Sequence, residues 1–197
     1  MSSEELSRAL GVVREISICR VKNLAKAMNS LSSAISAMLT ALIASFFAYL
    51  FIREPIFGSL LLVSILFLLE LIVYWTAKKS FTYTFRMAEI AGEKINDIYL
   101  MLFPLAMLVP LAISKFIYVP QLTLASPFFA IGVLKIISNT ETPRRVGGVA
   151  LISLSMISSA APLSTTPTAL SIGLALSNVI ESLMFIEEAE KCGGERT

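Results

Sequence analysis

Residues 56–79 read IFGSLLLVSILFLLELIVYWTAKK. About 20 apolar or small residues in a row, at 1.5 Å per residue, make a helix that crosses the ~30 Å hydrocarbon core of a bilayer. The stretch closes on Tyr74 and Trp75, which suit the headgroup boundary, and then on Lys78 and Lys79, which suit the cytoplasmic side. One carboxylate, Glu70, lies inside it. A lone charge in hydrocarbon costs roughly 2.5 kcal/mol or more, so Glu70 needs a partner or a purpose.

The rest of the chain agrees with a membrane reading. Of 197 residues, 56% are hydrophobic and 15% charged, whereas a soluble domain is nearer 45–50% apolar. The charges gather between the apolar runs. Histidine is missing altogether, which removes the commonest metal ligand and general base. Cys19 and Cys192 lie in the two terminal segments. Both are expected on the cytoplasmic side, where a reducing environment argues against a disulfide. The first apolar run starts near residue 30, so no cleavable signal peptide is expected. The single Gln beside many Ile, Leu and Ala suits a heat-adapted source.

The expected fold is an all-α, polytopic helix bundle of about six transmembrane helices, preceded by an amphipathic amino-terminal helix. Residues 1–29 set Leu6, Leu10, Val13 and Ile16 against Glu4, Arg8, Glu15 and Lys22. They are read as a basic helix on the inner leaflet, or as an extension of the first span that packs on the protein. The transmembrane domain covers 30–186, with spans near 30–52, 56–77, 98–118, 124–138, 146–163 and 168–186. A cytoplasmic tail, 187–197, follows. Span one carries the small-residue rows Ala37, Ala41 and Ala44, Ala48, and span six carries Gly173 and Ser177; such rows let helices approach closely. Span four is short, with Pro127 in its first turn, and Arg144 and Arg145 lie in the loop after it. Span five, rich in Ser and Gly, is the least suited to lipid and belongs inside the bundle.

Basic residues cluster in the amino-terminal segment, after span two, after span four and at the carboxyl end. The positive-inside bias therefore places both termini in the cytoplasm of a multi-pass cell-membrane protein. On that topology Glu70 lies about 21 Å and Glu181 about 20 Å along helices entering from outside. Asn178 is one turn from Glu181, and Lys135 nears the inner end of span four. Glu70, Lys135, Asn178 and Glu181 thus form a candidate intramembrane polar cluster. It would be either a buried ion pair or the wall of a path for ions or a small solute. Lys135 by itself reads best as snorkelling to the headgroups.

Enzymatic chemistry is not expected, and neither is a cofactor or metal. No nucleophile–base pair, phosphate loop or clustered Asp motif is present. Nucleic-acid binding is not expected, because the basic amino end lacks aromatic interleaving. The segment between spans two and three contains a short amphipathic run with Arg86, Glu89, Glu93 and Lys94, a candidate for docking a partner. This plan resembles the membrane subunits of ABC exporters, where the corresponding segment meets a cytoplasmic ATPase; the resemblance implies such a partner at residues 86–95. The alanine rows look similar to those of the six-span substrate-binding subunits of vitamin transporters, which implies a small-solute-binding role. The function expected is a non-enzymatic subunit of a transport or translocation assembly, in contact with lipid and with other subunits or copies of itself. The alternative is a structural scaffold subunit.

Overall fold

The computed structural model describes residues 3–47, 53–82, 86, 112, 119–138 and 140–192. These form an all-helical bundle of five helices: α1 (Ser3–Phe46), α2 (Pro55–Ser80), α3 (Pro120–Ser138), α4 (Thr142–Ser159) and α5 (Thr166–Lys191). Four stretches are long and apolar enough to cross a membrane: Leu10–Phe46, Ile56–Ser80, Pro120–Ile137 and Thr166–Lys191.

Proline sets several helix starts. Pro55, Pro143 and Pro167 each stand in a first helical turn, where a missing N–H is harmless and a fixed φ is already helical. Pro127 is different, because α3 begins at Pro120 and not near residue 124. It therefore lies inside the helix and takes one hydrogen bond from the carbonyl of Thr123. The Ser126 hydroxyl donates to that carbonyl at 2.8 Å, so the freed acceptor is satisfied within a buried turn. The sequence expectation of a short fourth span with a first-turn proline is corrected accordingly.

At 44 residues, α1 is about 66 Å long, twice the hydrocarbon thickness. It runs unbroken through Asn29 and Ser30, where the sequence suggests a change from surface helix to span. Gly11 to Glu15 are exposed. From Ala25 onwards one face of α1 is buried against α5 and α2.

The helix directions follow from the contacts. The pairs Cys19–Cys192, Ala27–Ser182 and Ser30–Glu181 make α1 and α5 antiparallel. The Ser177 hydroxyl donates to the Gly147 carbonyl, and Gly173 lies against Leu154 and Ser158, so α4 and α5 are antiparallel. Gly132 meets Gly148 and Ile152, and Gly148 meets Ile136, which makes α3 and α4 antiparallel. Ser33 and Ser36 meet Glu70, and together with the short link from Phe46 to Pro55 they make α1 and α2 antiparallel. Helices α2 and α3 therefore run the same way, and α2 packs on α3. The chain leaves α2 at one end of the bundle and enters α3 at the other.

The bundle is apolar outside and small or polar inside. Leu31, Ile35, Met38 and Leu42 on α1, Leu68, Ile72 and Trp75 on α2, and Ile172, Leu176 and Leu183 on α5 are exposed. Ala37, Ala41, Ala44, Ser36, Thr40, Thr123, Ser126 and Ser171 are buried. In water this would be an extended sticky surface; in lipid it is the ordinary arrangement, with small residues between helices. Helix α4 is the one of the five outside the set of long apolar helices. It packs on both α3 and α5, and Gly147, Gly148, Leu151, Ser155 and Ser158 are among its buried residues.

Cys19 and Cys192 are joined by a disulfide, which corrects the expectation of two reduced thiols. The antiparallel packing of α1 on α5 sets their Cα atoms 6.0 Å apart, inside the usual bridging distance. The partnership joins positions 173 residues apart in sequence, so local spacing carries no trace of it.

Candidate functional site

Glu181 is the centre of a buried charge network. It sits on the face of α5 that meets three other helices. Its Oε2 accepts from Lys135 Nζ of α3 at 2.7 Å, and its Oε1 accepts from Ser30 Oγ of α1 at 2.9 Å. Arg144 Nε, in the first turn of α4, stands 3.9 Å from Oε1. Lys135 also donates to Asn178 Oδ1 at 2.6 Å, one turn back on α5. Lys135 and Glu181 keep 6% and 4% of their exposure, so water outside the bundle does little to solvate them. The ions must be stabilised by each other and by these fixed donors.

A glycine makes room for the carboxylate. A Cβ added to Gly147 would lie 2.8 Å from Glu181 Oε2 and 3.3 Å from its Cβ. No larger residue fits there with Glu181 in place. The Gly147 carbonyl is also held by Ser177 at 2.8 Å, which fixes α4 beside the same turn of α5.

A second layer lies toward the bridged end of the bundle. Lys26 Nζ of α1 pairs with Glu141 Oε1 at 2.5 Å, and Arg144 Nε approaches Glu141 Oε2 at 3.2 Å. Lys26 and Arg144 each stand 5.9 Å from the centre of the buried Phe185 ring, a cation–π distance. The carbonyl of Ala27 accepts from Ser182 at 3.0 Å.

Glu70 occupies its own place. Ser33 Oγ donates to its Oε1, and Ser36 Oγ donates to its Oε2 at 2.6 Å. Among the described residues no cation pairs with it. Lys135 acts on it electrostatically from α3.

Three of the four residues expected to cluster are in contact: Lys135, Asn178 and Glu181. Glu70 is set apart on the α1–α2 seam. Lys135 turns inward to the network and not outward to headgroups. Arg144, expected in a loop, is helical and buried. Lys26, Ser30, Glu141, Arg144 and Gly147 complete the site and were not singled out for it in the sequence. Lys26 belongs there to the basic amino-terminal segment, and Arg144 to the loop after span four. Of the packing residues, Ala37, Ala41, Ala44, Gly173 and Ser177 are buried between helices, and Ala48 lies outside the described residues. Of the docking residues, Arg86 is exposed, and Glu89, Glu93 and Lys94 lie outside the described residues.

Among the described residues, fold and site together define an all-helical bundle with four helices suited to cross a membrane and a network of paired charges among α1, α3, α4 and α5. No protein-family model, curated protein or solved structure matches the chain.

Proposed function

We propose that the chain is a non-enzymatic, multi-pass membrane subunit of a transport or translocation assembly. In this reading the network around Glu181 is the closed lock of a path between helices. The observation that carries it is the burial of Lys26, Lys135, Arg144 and Glu181, with Glu141 half-buried beside them, inside a bundle with an apolar exterior. Apolar packing would hold the same helices together at lower cost, because desolvating ions offsets most of what their attraction returns. Intramembrane ions are kept where ions or solutes pass.

The full layout proposed has about six crossings, with the chain between α2 and α3 returning across the bilayer. Both termini face the cytoplasm of the cell membrane. A bridge between Cys19 and Cys192 on that side suits a heat-adapted source, where intracellular disulfides occur. Residues 86–95 and the projecting end of α1 are proposed to meet a partner subunit, a cytoplasmic ATPase among the candidates.

The second reading is a scaffold, favoured by the engagement of both oxygens of Glu181. Gentle detergent extraction from the native membrane, with mass measurement of the intact particle, tests the subunit claim. A co-extracted second protein is expected. A particle made of this chain alone would overturn the docking role of residues 86–95.

A further inference from the structure

The two intramembrane carboxylates are built for different work. Glu181 faces Lys135 and Arg144, which only donate hydrogen bonds and carry fixed charge. Both of its oxygens face donors: Oε2 faces Lys135, and Oε1 faces Ser30 and Arg144.

Glu70 has hydroxyl partners instead. A serine can donate or accept, so both protonation states of the carboxyl can be satisfied at this seam. The geometry shows how. As a carboxylate, Glu70 accepts from Ser33 and from Ser36. When Glu70 gains a proton, its own O–H donates to Ser36 Oγ. The Ser36 hydrogen then turns to the carbonyl of Ser32, which already stands 3.0 Å from Ser36 Oγ. The carbonyl of Ser33 is a further acceptor at 3.2 Å. No heavy atom has to move.

From these contacts we infer that Glu70 is a proton-binding site, loaded and unloaded independently of the fixed ion pair at Glu181. One O–H bond forms at a Glu70 oxygen, and the proton comes from the aqueous phase. Among the described residues, α1 and α3 pack on α2. Helix α1 presents the neutral Ser33 and Ser36, α3 presents Lys135, and Lys135 is already bonded to Asn178 and Glu181. Leu68, Leu71 and Ile72 beside Glu70 are exposed and apolar, so the site borders lipid. The inference names the proton as the species handled within the transport reading, and rests on that reading only for what the proton does.

An apolar carbodiimide tests it, because this reagent partitions into lipid and couples to a protonated carboxyl. Native membranes holding the full chain are treated with dicyclohexylcarbodiimide across a pH series, and the adduct is mapped by peptide mass. The expected result is an adduct on Glu70 and none on Glu181. Its rate should fall about tenfold per pH unit once the carboxyl ionises, and E70Q should abolish it. Serine 36 supplies a second reading: S36A should shift the pH midpoint of labelling while leaving Glu181 unlabelled. An unreactive Glu70 at every pH, equal labelling of Glu181, or a rate independent of pH would overturn the inference. A failure of transport by the assembly would leave this labelling unchanged, so the two claims fail separately.

Discussion

At the scale of single residues, Lys135 and Glu181 are the pair whose removal should be felt most. Lys135→Met leaves a buried carboxylate without its closest cation, for which a loss of about 3–5 kcal/mol is expected. Glu181→Gln should cost less, because the amide oxygen can still accept from Lys135 while its NH2 donates to Ser30 Oγ. The double variant should lose clearly less than the two single losses added. Thermal unfolding of the four proteins in one detergent checks this cycle; strict additivity would mean that the pair is not coupled. The nearness of Asn178 and Glu181 is legible in sequence because polar groups inside apolar runs are anomalous and a helical period fixes their relative depth, whereas Lys135, near a span end, reads by itself as snorkelling. Ser30, Gly147 and Arg144 are not legible in the same way. A serine, a glycine or a loop-side arginine is ordinary where each stands. Only the crossing of α1 and α4 over α5 turns them toward the carboxylate.

Helices meet most closely where α3 crosses α4. A Cβ on Gly148 would lie 2.7 Å from the Gly132 carbonyl oxygen, and a backbone atom cannot rotate away. Gly148→Ala should therefore cost about 1–3 kcal/mol by forcing the helices apart. Gly11→Ala is the matched control. It meets nothing within 4 Å and should be neutral or stabilising by up to about 1 kcal/mol, since alanine favours the helix. Melting temperatures that fall equally for both would contradict the close crossing. The disulfide is a second tie between elements, and reducing it should destabilise the α1–α5 pair by about 2 kcal/mol. Differential melting with and without reductant reads that directly, with the Cys192→Ser variant expected to be insensitive to reductant. At this scale the sequence is a good guide to which stretches are helical and a poor guide to where they begin. α3 starts one turn earlier than its hydropathy suggests, because Pro120 opens a helix as readily as it ends a loop. α1 continues through a change of polarity at residues 29–30 because a helix needs only local hydrogen bonds, whatever its outer face meets.

At the scale of the whole bundle, the described helices set an apolar exterior around an interior of small residues, hydroxyls and paired ions. The shared direction of α2 and α3, and the shared end of Cys19 and Cys192, fit an even number of crossings with both termini together. The division between a fixed ion pair at Glu181 and an exchangeable carboxyl at Glu70 gives the transport proposal its physical content. The decisive measurement is proton flux through the gently extracted assembly, rebuilt into anionic liposomes that hold a pH-sensitive dye under a potassium diffusion potential. Wild type should acidify or alkalinise the lumen according to the sign of the potential, and Glu70→Gln should remove that signal while the particle keeps its mass and its bridge. Equal flux through wild type and Glu70→Gln, or a variant that no longer assembles, would contradict the account and leave the buried charges as scaffold.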